Sequence, residues 1–141
     1  MNPFSGSTIE LPLIDSVVSL SKNEISFEVT KVILSADPAS SPNDYIVAAI
    51  YGIDCDLAFI RAGDEAWTCM DKERFSCFSD VIYYKGQIFA VNRHRVLMID
   101  VNRMARAPQV EEKEIAPQII HTEHMYLVKS SSGKLLLVQR L

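Results

Sequence analysis

Short apolar runs separated by turn-forming residues dominate the chain from residue 31 onward. Runs of about four to eight residues that are rich in β-branched and aromatic side chains and end at turn residues are typical of β-strands. We therefore predict strands at residues 31–36, 45–51, 57–60, 66–70, 80–84, 87–91, 96–101, 110–115, 125–128 and 135–138. Residues 45–51 are apolar at both alternating positions, which predicts a strand buried on both faces. Because only residues 15–22 suggest a short helix, the pattern predicts an all-β chain.

The connections between these runs are short. Lys85 and Gly86 separate two apolar runs, which indicates a compact hairpin. A second turn of this kind, Ser130-Ser131-Ser132-Gly133, separates the last two runs. Parallel neighbours would need crossover connections of a dozen or more residues. The sequence therefore predicts antiparallel meanders.

The strand pattern restarts at intervals. The apolar onsets Tyr45, Val81 and Tyr126 lie 36 and 45 residues apart, close to the repeat of about 40–50 residues that is typical of four-stranded propeller blades. Within one domain of residues 1–141 we predict a first blade-like unit at 31–77, a second at 78–121 and the start of a third at 122–141. A plain β-sandwich also fits short strands and frequent turns, and remains the alternative.

Composition narrows the class of protein further. The chain has 141 residues, 48% of them hydrophobic and 23% charged, and a net charge of −4, so it is typical of a globular domain without a basic surface for nucleic acid. No run approaches the roughly 20 apolar residues that span a bilayer, and the N-terminus shows no secretory signal. Three cysteines, an odd number, fit a reducing compartment. We expect a cytoplasmic or nuclear protein without membrane or nucleic-acid partners.

Candidate catalytic and metal-binding groups do not assemble into a site. His121 and His124 are three residues apart, and on a strand that spacing places them on opposite faces. Cys69 and Cys77 lie within apolar segments, where we expect buried, unreactive thiols. The five glycines form no phosphate loop or dinucleotide motif, no Gly-x-Ser-x-Gly elbow occurs, and the acidic pairs adjoin turns. We therefore predict no enzyme, cofactor or metal site.

One basic loop and a few aromatic residues are candidates for protein contacts. Arg93-His94-Arg95 could pair with an acidic peptide or phosphate, although a solvated turn would have the same composition. Trp67 could anchor an interface, but its place inside a repeating unit favours core packing. Tyr83 and Tyr84 point to opposite faces of a strand, so one should be in the core and the other exposed or in a neighbouring sheet.

Four segments resemble, in the same order, a known plant family: the KIB-type β-propeller domain found behind F-box motifs, also called domain of unknown function 295. The similar segments are Asn2-Pro3-Phe4-Ser5-Gly6 with Ile9-Glu10-Leu11-Pro12, the element from Leu57 through Gly63-Asp64 to Trp67-Thr68, the hairpin Asp80 to Val91, and Tyr126 to Arg140. The resemblance departs from the family at Asn92-Arg93-His94-Arg95, where relatives often have a turn glycine.

The resemblance implies a function in substrate recognition. In such proteins the propeller holds a target protein while the F-box, about three helices, docks the Skp adaptor of a cullin ubiquitin ligase. No segment here resembles the F-box, and the match begins and ends inside the family's domain. We therefore expect a partial propeller of about two blades plus parts of others, which binds a target protein but not the Skp adaptor, and which self-associates through open strand edges. The alternatives are a truncated, non-functional fragment and a self-contained β-sandwich binding protein.

Overall fold

The structure is a computed structural model that describes residues 8–12, 14, 29–71, 73–75, 77–92, 95–100 and 124–140, and the strand backbone of residues 109–114. Several residues considered above therefore lie outside the described part of the chain. They are the predicted helix at 15–22 and the candidates Arg93, His94 and His121.

In the part of the chain that the structure describes, ten strands form three antiparallel sheets. Sheet one contains β1 (Val29–Leu34), β2 (Ile46–Tyr51), β3 (Asp56–Arg61) and β4 (Thr68–Cys69) in that order. Sheet two contains β5 (Phe78–Tyr84), β6 (Gln87–Asn92), β7 (Arg95–Asp100) and β8 (Gln109–Glu114), also in chain order. The third sheet is the hairpin of β9 (His124–Lys129) and β10 (Leu135–Arg140). The prediction of an all-β fold of antiparallel four-stranded meanders is confirmed.

Turn chemistry explains the tightest connection. Lys85 and Gly86 join β5 to β6 with φ angles of 48° and 78°, the two positive values that a type I′ turn requires. A turn of this type follows the right-handed twist of the paired strands, so Tyr84 and Gln87 pair directly on either side of it. The Lys-Gly signal in the sequence therefore sets the register of sheet two.

Sheets one and two stack face to face. Alternate residues of β2 (Ile46, Ala48 and Ile50) pack with β3 residues against the facing side chains of sheet two. The contributors from sheet two include Val81, Ile88, Ala90, Leu97 and Ile99. The remaining residues of β2 are also buried, on the face turned away from sheet two. The prediction that this strand is buried on both faces is confirmed.

The hairpin covers the other face of sheet two. Val91, Met125 and Leu127 form a second buried cluster, and Leu135 and Leu137 of β10 pack against it. Three sheets therefore lie one on another, as consecutive blades of a propeller do. A two-sheet β-sandwich, the alternative architecture, does not describe this stack. The predicted unit boundaries at residues 77/78 and 121/122 stay predictions.

A buried carboxylate joins all three sheets. Asp80, at the beginning of β5, is 3% exposed. One carboxylate oxygen accepts a hydrogen bond from the Lys31 ammonium of β1 and one from the Val81 N–H, the latter at 2.9 Å. The other oxygen accepts the Leu127 N–H of β9 at 2.7 Å. Because a buried charge is stable only when it is paired and hydrogen-bonded, this side chain fixes the relative positions of β1, β5 and β9.

Candidate functional site

Three chain segments meet at one end of the stack, which we call the β2–β3 rim. The turn of residues 52–55 connects β2 to β3, and residues 70–77 lead from β4 into β5. The Cys77 N–H donates to the Asp54 carbonyl, and the Phe78 N–H donates to the Cys55 carbonyl, both at 3.0 Å. Phe78 is also paired with Asn92, the last residue of β6. The rim therefore places the β2–β3 turn beside the end of β6.

Ile53 is the most exposed large apolar side chain of the described residues. It is 79% exposed at the tip of the β2–β3 turn. The turn is closed by a hydrogen bond from the Cys55 N–H to the Gly52 carbonyl at 3.2 Å, and φ is positive at both residues. A single exposed apolar residue on a surface is common, but here a hydrogen-bonded turn holds it outward among charged neighbours.

Charged side chains are exposed on the connection from β4 to β5, whose end is hydrogen-bonded to this turn. Asp71, Glu73 and Arg74 are exposed, and they stand on a local turn in which the Glu73 N–H donates to an Asp71 carboxylate oxygen at 3.0 Å. The Arg74 guanidinium lies 4.9 Å from the centre of the Phe75 ring, which holds the cation against the surface. The arrangement is an apolar tip with charged groups beside it, the usual composition of a protein-contact surface.

The candidate basic loop borders the same rim. Arg95 is exposed at the beginning of β7, and its backbone N–H donates to the Asn92 side-chain oxygen at 3.1 Å. This side-chain bond supports the chain reversal between β6 and β7. Arg93 and His94 lie outside the described residues, so the basic loop as a binding element stays a prediction.

The remaining candidates are placed as follows. His124 is exposed at the beginning of β9, with its ring 6.4 Å from that of Tyr126. Cys55, Cys69 and Cys77 are all free thiols and all half-buried, so the expectation of fully buried thiols at Cys69 and Cys77 is wrong. No group of three or more His, Cys, Asp or Glu side chains suited to a metal occurs among the residues that the structure describes. Within the same residues, no helix has the length and apolar character needed to cross a bilayer.

The aromatic residues divide between confirmed and corrected expectations. Tyr83 packs against the cluster between sheets one and two, whereas the Tyr84 hydroxyl donates to the Gly133 carbonyl of the hairpin. This confirms the prediction that the two rings serve different faces. Trp67 is half-buried, not in the core, because its indole N–H donates to the Pro12 carbonyl at 2.7 Å. That contact ties the segment at 8–12 to sheet one.

Sequence reasoning missed two residues that matter here. Ile53 follows Gly52 directly and precedes an acidic residue, so an apolar side chain inside a turn was the signal that could have marked it. Asp80 is only the first residue of a predicted strand in the sequence analysis. Its partners Lys31 and Leu127 are 49 and 47 residues away in sequence, and no local pattern reveals them.

Comparisons with known proteins agree with this geometry. A putative F-box protein of Arabidopsis thaliana is 35% identical over 51 residues, which make up 36% of this chain and 14% of that protein. The match thus spans a small part of the curated relative's length. No solved structure matches significantly. The profile of the KIB1-4 β-propeller matches residues 1–141. From this match and the stacked antiparallel sheets, the chain belongs to the KIB1-4 β-propeller family.

Proposed function

We propose that this chain is a non-enzymatic protein-binding module that acts in substrate recognition for an F-box-type ubiquitin ligase. Two findings support the proposal: the family match over residues 1–141 and the similarity to a protein described as an F-box protein. We also propose that these 141 residues do not themselves dock the Skp adaptor, because no segment among them resembles an F-box. Its role would be to hold a target, either beside an intact relative or in competition with one.

The observation that carries this proposal is the exposed Ile53 on the β2–β3 rim. Interfaces commonly place a few side chains at their centre that contribute most of the binding free energy, with polar groups around them. Ile53 is the exposed apolar residue at this end of the stack. The connection that carries Arg74 and the beginning of β7 at Arg95 lie at the same end. A partner that bound elsewhere on the molecule would contact neither the Ile53 side chain nor the charged side chains of the rim.

Rim variants should lose the captured target. We expect Ile53→Asp and Arg95→Glu each to weaken co-purification of the same protein from plant cells by about tenfold or more, because centrally placed contacts are each worth about 2 kcal/mol. Quantitative mass spectrometry of the tagged chain would measure this. Glu65→Lys is the matched control, since Glu65 is an exposed residue in the β3–β4 connection, at the opposite end of sheet one.

Two further measurements distinguish recognition of a ligase target from non-specific binding. Expression of the wild-type chain should lengthen the half-life of the captured protein, because the chain would compete with ligase-bound relatives, and Ile53→Asp should not. Skp adaptor should be absent from the purified complexes of the chain alone. Retention of the same proteins by both rim variants, at wild-type levels, would contradict the proposal.

The two ends of the stack suggest a second interaction, between copies of the chain. The outer face of the β9–β10 hairpin consists of Tyr126, Val128, Leu136 and Val138, each 41–45% exposed. At the other end, Val29, Val32 and Leu34 of β1 are 45–53% exposed. The inner face of the hairpin is already covered by sheet two. We propose that β1 of a second copy covers the outer face, which extends the same sheet-on-sheet packing from one molecule to the next.

Such head-to-tail contact should give concentration-dependent oligomers. Because the two contacting faces differ, the assembly is not limited to dimers. Sedimentation velocity over a range of concentrations would measure it, and Val128→Lys combined with Val138→Lys should shift the chain to monomer by placing charges on the apolar face. Glu65→Lys again serves as the control. A wild-type chain that stays monomeric at all concentrations would rule out this contact.

A further inference from the structure

Backbone hydrogen bonds bring the segments of two of the three cysteines together where sheet one meets sheet two. The backbone hydrogen bonds from Cys77 N–H to the Asp54 carbonyl and from Phe78 N–H to the Cys55 carbonyl, both 3.0 Å, place the two residues side by side. Cys55 ends the β2–β3 turn, and Cys77 immediately precedes β5. The pair therefore spans the junction between the two sheets, with 21 residues between the cysteines in the chain.

The backbone at both positions has an unusual and fixed conformation. The φ angles are 52° at Cys55 and 59° at Cys77, in the left-handed region where residues other than glycine and asparagine are disfavoured. Each cysteine is held there by the hydrogen bonds of the junction. Two half-buried thiols in a fixed backbone frame lose little further freedom if they are joined.

The electrostatic surroundings of Cys55 include the second cysteine. Burial raises the pKa of the Cys55 thiol, and the neighbouring Cys77 sulfur raises it further, followed by the carboxylates of Asp56 and Asp54. Cys69 is not part of this pair. It lies in β4 and accepts a hydrogen bond from the hydroxyl of Tyr51 at 3.6 Å, on the face of sheet one that is turned away from sheet two.

We propose that Cys55 and Cys77 are a reversible oxidation site that forms an intramolecular disulfide with a peroxide as oxidant. One thiolate attacks the peroxide O–O bond, which breaks to give a sulfenic acid and, after protonation, one water from hydrogen peroxide. The second thiol attacks the sulfenic sulfur, the S–S bond forms, and a second water leaves with the remaining proton. Two thiols lose two electrons and two protons, and the peroxide gains both. A dithiol reductant such as reduced thioredoxin reverses the step.

The disulfide would lock the β2–β3 turn to the beginning of β5. Without it, sheets one and two are held together by side-chain packing and the Asp80 contacts. A covalent link at the rim adds a restraint that acts mainly on the unfolded chain. In a reducing compartment such a bond is transient and signals oxidation. This inference concerns the thiols alone and stands independently of the proposed partner.

Thiol mapping of the purified wild-type chain tests the proposal directly. After limited hydrogen peroxide, Cys55 and Cys77 should both lose reactivity toward an alkylating reagent while Cys69 keeps it. The intact mass should fall by two hydrogens, and peptide mapping should show the Cys55–Cys77 link. Dithiothreitol should restore alkylation of both. Alkylation of Cys55 and Cys77 at the same level as Cys69 after oxidation, or a link between either and Cys69, would overturn it.

Serine variants separate the disulfide from general oxidation damage. Cys69→Ser should behave as wild type and shift its urea midpoint upward when oxidised. Cys55→Ser and Cys77→Ser should form no intramolecular link and show no oxidation-dependent shift. Circular dichroism of each reduced variant checks that it is folded. An upward shift that persists in Cys55→Ser would assign the effect to another group and refute the proposal.

Discussion

Replacing Asp80 with alanine is expected to destabilise the fold by about 3 kcal/mol. The change removes the acceptor for the Leu127 N–H of the hairpin and the Val81 N–H, and leaves the Lys31 ammonium without its carboxylate. Hydrogen bonds to a charged acceptor are the stronger kind, and a buried N–H without an acceptor is costly. Urea unfolding followed by circular dichroism would measure the loss.

The charge and the hydrogen bonds at Asp80 can be separated. Asp80→Asn keeps one carbonyl oxygen but removes the charge, and should cost less than alanine. Lys31→Met removes only the ammonium group that pairs with Asp80; the Lys31 side chain is 39% exposed. When Asp80→Ala and Lys31→Met are combined, their losses of unfolding free energy should not add, because each single substitution already breaks the same ion pair. If Asp80→Ala lowered the free energy of unfolding by less than about 0.5 kcal/mol, as ordinary surface substitutions do, the contacts of Asp80 with β1 and β9 would contribute little to stability.

Leu97→Ala should cost a similar amount, about 2–5 kcal/mol, for a different physical reason. Leu97 is 0% exposed on β7, in the cluster between sheets one and two. Truncation removes apolar contact and leaves a cavity between two sheets whose backbone hydrogen bonds prevent them from closing it. The loss should appear as a lower urea midpoint with an unchanged slope.

Ile53→Ala is the matched comparison for Leu97→Ala. It truncates another branched aliphatic side chain, but one that is 79% exposed on the rim, so its unfolding free energy should change by less than about 0.5 kcal/mol. Its effect should instead appear in target binding. Equal destabilisation by the two variants would mean that the buried cluster does not hold the two sheets together.

The position of a strand could be predicted where a single local sequence pattern determines it. The apolar run that became β2 and the Lys85-Gly86 hairpin needed no long-range information, because turn chemistry and period-two patterning act within a few residues. Element ends were less accurate. Strand β4 is only Thr68–Cys69, whereas the sequence pattern predicts residues 66–70.

The candidate site was harder to predict than the fold. The Asp54–Cys77 and Cys55–Phe78 hydrogen bonds form where the β2–β3 turn meets the beginning of β5, and local sequence patterns do not reveal that contact. The same holds for Asp80, whose burial results from three separate sheets. Cys69 and Cys77 are predicted to be buried and inert because their apolar neighbours indicate the core, yet both are half-buried.

The complete burial of β2 limits where this protein can change. In a sheet with one face in water, every second side chain can vary at little cost. All six residues of β2 and the first five of β3 are buried, so neither strand has a free face on which new contacts could arise. In this part of sheet one, altered binding specificity must therefore come from the connecting turns, whose length and composition can vary while β2 and β3 stay the same.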